Sequence, residues 1–250
     1  MRDLVVVGPG QLGRLFGAGA LARGIRVTPV RRGDDAGAAA AGVPDAPILV
    51  AVGEPALAAV LLALPPARRN DAILVQNELF PADWTPLTPD PTVAVVWLNA
   101  KAGRPIEVAR PTAVHGRHAR LFCELHDPLG LPCVPVDAPT LGVELVAKYA
   151  FILAVNALGL RADDTVGAWL ARDRALVRSI AGEGIALGEA RLGRAVDRAA
   201  AEAAIVAAMQ ALRDMPARGR TARARVERAL VFARERGIPA PDTAASLAAA

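Results

Sequence analysis

The sequence predicts an α/β protein, with a doubly wound parallel sheet in its N-terminal half and an all-helical C-terminal domain. Three observations predict it. Short β-branched runs alternate with helix-periodic stretches over the first hundred or so residues. After Pro139 the texture changes to long Ala, Leu and Arg stretches with few strand signals. The apolar fraction is 53% of 250 residues with aromatics at only 4%, so the core must be close-packed aliphatic material, which Ala-rich helices supply better than aromatic strands.

The run Asp3-Leu-Val-Val-Val7 reads as a buried parallel strand. From Gln11 to Arg23 apolar and small residues recur at helical spacing, and Gly24 ends the helix. Ile25–Val30 is a second strand, which makes a right-handed βαβ unit. Residues 33–46 lack periodicity and read as a loop. Strands follow at Ile48–Val52, Ala72–Gln76 and Thr92–Leu98, with a helix over Pro55–Leu64 between the first two. Pro81–Pro91 is a proline-rich loop, Pro105–Ala109 a short strand, Arg117–Leu125 a helix and Cys133–Val136 a last edge strand. A boundary near 138 divides a domain of residues 1–137 from one of 138–250. Helices are expected at 141–158, 165–171, 173–190, 195–213 and 218–236, the last stopped by Gly237-Ile-Pro239, and the tail 244–250 is expected to fray.

Charge and composition narrow the function classes. The formal charge of +4 comes from 29 basic residues spread along the chain and offset by 25 acids, which argues against a nucleic-acid surface. No apolar run reaches about 18 residues free of charge, and the N-terminus enters a glycine turn where a signal peptide would need an apolar region, so no membrane association and a cytoplasmic location are expected. Cys123 and Cys133 read as small buried apolar residues. His115, His118 and His126 share a window with Cys123, but their spacing matches no closed structural zinc site, and no metal is expected.

Gly8-Pro9-Gly10-Gln11-Leu12-Gly13 is a GxGxxG between the first strand and first helix, the context of a Rossmann-type dinucleotide turn. The first glycine permits the turn, the second lets a pyrophosphate approach, and the third lets helix and strand pack closely. A turn chosen only for packing has the same pattern. At the end of the second strand an acid would hydrogen-bond the ribose 2′-hydroxyl of NAD. This chain has Arg31 and Arg32, whose guanidinium groups suit the 2′-phosphate of NADP, unless both are simply solvated. All the basic residues except Lys101 and Lys148 are Arg, so a lysine on the otherwise apolar helix around 148 invites a reason. An ammonium gives up a proton when desolvated and a guanidinium does not.

The Gly8–Gly13 turn, Ile48-Leu-Val-Ala-Val52, Ile73-Leu-Val-Gln-Asn77, the helix bearing Lys148 and Asn156, and Ala233-Arg-Glu-Arg-Gly-Ile-Pro-Ala-Pro241 together resemble the ketopantoate reductase family. The resemblance implies an N-terminal NADPH-binding domain, a helical C-terminal domain for substrate and dimerisation, and reduction of a 2-keto acid in a cleft between them. It makes Lys148 the general acid and Asn156 the second asparagine of a lysine-and-two-asparagines helix, with Ile152 where the first would stand. It places Asn77 near the nicotinamide, with Glu78 in place of a glycine. Val52 and Gly53 lie at the cofactor, Gly53 in place of a phosphate-binding lysine, and Met209 and Thr221 stand where the family has a substrate-binding serine and glutamate. The expected function is therefore NADP(H)-dependent reduction of a small 2-keto acid or related carbonyl, the expected partners a carboxylate substrate and a second copy of the chain. A non-catalytic NADP-binding or scaffold protein on the same fold is the alternative. One of Arg218, Arg220, Arg223 and Arg225 is expected to hold the substrate carboxylate, unless all four face water beside Glu227 and Asp214. The Gly10–Arg14 stretch is also similar to the start of ATP-grasp carboxyaminoimidazole ribonucleotide synthetases. That similarity stops by about residue 30, and such an enzyme needs lysine-bearing strands that two lysines cannot furnish.

Overall fold

The computed structural model describes residues 2–100 and 105–249; Lys101 lies outside them. The first hundred-odd residues run β1 (Asp3–Val7), α1 (Gln11–Ala22), β2 (Arg26–Val30), α2 (Ala36–Ala41), β3 (Ile48–Val50), α3 (Leu57–Ala63), β4 (Ala72–Leu74), α4 (Pro81–Trp84) and β5 (Thr92–Val95). Then come β6 (Leu98–Asn99), β7 (Glu107–Val108), β8 (Thr112–His115), α5 (Ala119–His126) and β9 (Cys133–Pro135). Seven strands form one sheet in the order β2-β1-β3-β4-β5-β8-β9, while β6 and β7 pair separately. All neighbours in the large sheet are parallel except β5 and β8. The chain therefore crosses from one side of β1 to the other between β2 and β3, and this reversal opens a crevice beyond the C-terminal ends of β1 and β3.

Leu4, Val6, Phe16, Leu49, Ile73, Ala94, Val114 and Phe122 make the core of this sheet-and-helix unit. Few rings are needed because backbones approach closely: a Cβ at Gly19 of α1 would collide with the Leu125 carbonyl of α5. Pro29 and Pro135 sit in β2 and β9, the two edges, where a missing N–H costs no ladder bond.

Several expectations are corrected. The loop predicted over 33–46 contains α2, an alanine run too uniform to show periodicity, started by Asp35, whose carboxylate accepts from Ala38 N at 2.9 Å. The proline-rich loop opens with the single turn α4, with Pro81 at its start and Asp83 accepting from Phe80 N at 2.7 Å. Thr92–Leu98 is two strands, and β8 is a four-residue interior strand bounded by Pro111 and Gly116 that the pattern did not reveal.

The remaining helices are α6 (Ala138–Arg161), α7 (Val166–Arg172), α8 (Arg174–Leu192), α9 (Arg198–Ala211), α10 (Ala222–Arg236) and α11 (Pro241–Ala248). The chain divides into Met1–Leu141 and Gly142–Ala250, a boundary inside α6. Glycines set the packing in the second unit as well: a Cβ at Gly184 of α8 would lie 2.8 Å from the Ala150 Cα of α6. Among the described residues α6 alone is long and apolar enough to cross a membrane, and 89% of its most apolar window is buried within the protein.

The expected frayed tail is instead α11. Glu183 of α8 caps it, accepting from Asp242 N and Thr243 N, each at 2.9 Å, and from Thr243 Oγ1 at 2.6 Å. Arg161, at the end of α6, donates to Ser246 Oγ at 2.7 Å and to the Asp242 carbonyl at 2.8 Å.

Candidate functional site

The glycine turn is built between two strand ends. Gly8 N donates to Val30 O of β2 at 3.0 Å, and Ala51 N donates to Val7 O of β1 at 2.8 Å. The three glycines have different reasons to be glycine. Gly8 has φ +84°, and a Cβ there would stand 2.8 Å from the Ala51 carbonyl. A Cβ on Gly13 would run into the Gly8 carbonyl, so the first turn of α1 lies directly on the end of β1. Gly10 has neither reason: its φ is −76°, and a Cβ there meets nothing within 4 Å. Packing therefore explains Gly8 and Gly13 and leaves Gly10 facing open space. No side chain caps Gly10 and no acid occupies the first turn of α1, so this helix N-terminus keeps its positive character, and Pro9, Gln11 and Leu12 complete a cradle that suits an anionic pyrophosphate.

Around this turn the strand ends carry the other residues the sequence singles out. Arg31 and Arg32 follow β2 and are both exposed. The carboxylates beside them are committed to the backbone: Asp34 accepts from Arg31 N at 2.7 Å, and Asp35 caps α2. Val52 is half-buried and Gly53 exposed past β3, and Asn77 is exposed past β4. The sequence reading passed over Gln76, which is buried. Its Nε2 donates to the carbonyls of Val50 at 2.7 Å and Val52 at 3.2 Å, while its Oε1 accepts from Val75 N. It ties the end of β4 to the segment after β3 and so holds Val52 and Gly53 in place.

The zinc-like residue types go to separate environments. His115 Nδ1 meets the Val136 carbonyl at 2.8 Å. His118 lies beside Asp71 and Arg117, and burial together with Arg117 and Arg68 pushes it down to about 4, so it is neutral at pH 7. His126 is fully buried against Phe16 and Phe122, with Nδ1 at 2.8 Å from the Phe122 carbonyl. Cys123 and Cys133 are half-buried and hydrogen-bonded to each other, with burial raising both thiols.

In the second unit α6 carries a group of buried charges. Glu144 and Lys148, spaced i, i+4, share one face and are 7% and 9% exposed. Lys148 Nζ lies 5.9 Å from the centre of the Phe151 ring. Burial, seconded by the nearby Arg225 guanidinium, pushes the ammonium down to about 8, while Glu144 pulls the other way.

Asn156, also buried, is engaged within the protein. Its Nδ2 donates to the Ile152 carbonyl at 2.7 Å, and its Oδ1 accepts from Gly219 N at 3.3 Å, pinning the segment before α10 onto α6. Ile152 is half-buried on α6, Met209 is buried in α9, and Thr221 precedes α10, its Oγ1 accepting from Arg225 Nε at 3.0 Å. Of the four arginines, Arg218, Arg220 and Arg223 are exposed, the last beside Glu227 at 3.7 Å, and Arg225 is half-buried.

No protein-family model and no curated protein matches the chain. Solved structures do. A PanE/ApbA family ketopantoate reductase from Ralstonia eutropha JMP134 aligns with a TM-score of 0.71 and 19% identity over 98% of this chain and 96% of its own. The dimeric ketopantoate reductase of Staphylococcus aureus aligns at 0.66 and 17% over 98% and 96%. D-mandelate dehydrogenase in complex with NADH aligns at 0.67 and 10% over 99% and 97%. Identities this low speak to architecture, and here they do so over nearly the whole of each chain: the protein has the fold of the ketopantoate reductases.

Proposed function

We propose that the protein is a divergent ketopantoate-reductase-like enzyme, which reduces a small 2-keto acid or related carbonyl with NADP(H). The observation that carries this reading is Lys148, one of two lysines in a chain whose other basic side chains are almost all arginine, buried and with its ammonium pushed down to about 8. On this reading residues 1–137 bind the nucleotide and 138–250 serve substrate and self-association, in the cytoplasm. Gly8–Gly13 with the start of α1 take the pyrophosphate, Arg31 and Arg32 the 2′-phosphate, and Val52, Gly53 and Asn77 the remainder of the cofactor. The bound cofactor supplies a hydride.

Lys148 supplies the matching proton. Its Nζ gives a proton to the carbonyl oxygen as the alcohol forms and is left as a neutral amine, which solvent reprotonates. Lys148 does this at little cost because burial already weakens its hold on that proton. Glu144, on the same helix face, pulls the other way and favours the charged form of the lysine.

The test is NADPH oxidation against a panel of keto acids and imines, with Lys148→Ala alongside. The expected outcome is turnover by the wild type, reduced by about 10²–10⁴ in kcat in Lys148→Ala with NADPH affinity nearly unchanged. Turnover of the panel by Lys148→Ala at the wild-type rate removes Lys148 from the chemistry. Tight NADPH binding with no turnover of any carbonyl favours the non-catalytic NADP-binding protein.

Cofactor choice has its own test. With Asp34 and Asp35 committed to the backbone and two guanidinium groups beside them, calorimetry is expected to show NADPH binding more tightly than NADH by about 1–3 kcal/mol. Equal affinities in wild type and in an Arg31→Ala, Arg32→Ala double variant leave those arginines solvated.

A further inference from the structure

We propose that Cys123 and Cys133 are a modification site: peroxide converts the pair into a reversible disulfide that fastens α5 to the edge strand β9.

The chain brings the two sulfurs together by a short, fixed reversal. α5 ends at His126, a tight turn over Asp127–Leu129 follows, and Gly130 at φ +64° turns the chain back. Gly130 N donates to Asp127 O at 3.1 Å and Leu131 N to His126 O at 3.2 Å, so β9 starts beside the helix that precedes it. Side chains alternate along a strand, and Cys133 packs into the core that α1 and α5 share with the sheet, while Val134 is 44% exposed. Cys123, on α5, packs into the same core. The two thiols are hydrogen-bonded to each other, and both are half-buried, so a small oxidant reaches them.

Burial raises both thiols, which lets the pair ride out brief exposure to oxidant, and the hydrogen bond then separates their roles. The Cys133 S–H donates to Cys123 Sγ, which opposes the rise at Cys123 and adds to it at Cys133. Cys123 is therefore the sulfur that attacks. Its thiolate takes one peroxide oxygen, the O–O bond breaks, and hydroxide leaves and takes up the proton that Cys123 gave up, which yields water and the sulfenic acid. Cys133 then attacks the Cys123 sulfur, the S–O bond breaks, and the departing hydroxide collects the Cys133 proton as a second water. Two thiols are oxidised to one disulfide, and one peroxide is reduced to two waters.

The packing also decides which element yields. Bonding brings the sulfurs to about 2.05 Å. α5 is held by α1, since a Cβ at Gly19 would collide with the Leu125 carbonyl, and the Phe16 and Phe122 rings meet at 4.8 Å between centres. β9 has one strand neighbour, β8, along Cys133–Pro135. The edge strand therefore moves to the helix, and the bond secures a short strand that otherwise rests on a single ladder.

The test treats the full, reduced chain with hydrogen peroxide for hours, then counts thiols after denaturation and maps linked peptides by mass spectrometry. The expected result is loss of both thiols, a Cys123–Cys133 crosslink within one chain, and return of both thiols with dithiothreitol. The crosslinked form is expected to melt about 5–10 °C above the reduced form. Variants assign the roles: Cys133→Ser should accumulate a dimedone-reactive sulfenic acid at Cys123, and Cys123→Ser should stay largely unlabelled. Survival of both thiols through hours of peroxide in the folded wild type, or crosslinks only between chains, overturns the site. A crosslinked form that melts at or below the reduced form overturns the staple, and stronger labelling of Cys123→Ser overturns the choice of attacking sulfur. The wild type alone decides the first two points should a serine variant not fold.

Discussion

In the candidate site, packing gives no reason for the lysine at 148 or for the glycine at 10. Burying an ammonium costs stability while it stays protonated, and the sign of that cost is open to measurement. With the folded value near 8 and the ordinary value at 10.5, the unfolded chain holds more protons between those limits, so stability rises with pH across that window. Below pH 8 the full penalty applies, about 3 kcal/mol. Lys148→Met is therefore expected to exceed the wild type in urea-unfolding free energy at pH 7, with the gap narrowing toward pH 10; a gap that ignores pH would trace the effect to shape alone. Reduction catalysed by the wild type should fall as pH rises through about 8, where the proton donor is lost. Gly10 and Gly13 form the complementary pair. A valine at 10 meets open space and should leave the melting temperature within a few degrees of wild type while abolishing nucleotide binding in calorimetry. A valine at 13 drives into the Gly8 carbonyl and should lower stability itself by about 1–3 kcal/mol.

At the scale of elements, the instructive cases are those held by distant partners. α11 is short and Ala-rich and would not persist alone in water. It forms because Glu183 and Arg161 meet its first turn and its Ser246. Ending the chain at Ala240 leaves a carboxylate and a guanidinium without those bonds and is expected to cost about 2–4 kcal/mol by urea unfolding, more than Glu183→Gln, which keeps part of the cap. The same reasoning explains what the sequence showed and what it hid. The β1–α1–β2 unit and its turn were legible because their signals are local: a β-branched run, three glycines, a periodic helix. β8 was hidden because four residues between a proline and a glycine carry too little pattern. α2 was hidden because an alanine run has propensity without periodicity. In the candidate site, Lys148 stood out through the rarity of lysine. Arg225 could not be told from its neighbours, since its partial burial and its bond to Thr221 arise only in the folded helix. Gln76 was hidden in the same way, because its partners are carbonyls on another strand.

At the scale of the whole molecule, sparse aromatics and abundant glycine and alanine have one structural meaning. Elements approach until backbone meets backbone, as at Gly19 with Leu125 and Gly184 with Ala150, so contact area per residue comes from proximity and not from large side chains. Where secondary structure thins out, arginine takes over the role of the ladder. Arg68 donates to the carbonyls of Ala40, Val43 and Ala46 and pairs with Asp71, which in turn meets Arg117. Its guanidinium thereby ties the end of α2 to the loop that follows it, a task for which lysine has too few donors and no fixed plane.

The division at Leu141 leaves each unit a single uninterrupted stretch of chain, and this bears on the order of events at the ribosome. Every strand of the sheet, both edges included, has been synthesised before the second unit begins. At about 5–20 residues per second the hundred-odd residues that follow take on the order of 5–20 seconds to appear. A small domain needs far less than that to fold. The glycine turn can thus be formed, and open to a nucleotide, while α10 and α11 are still being translated.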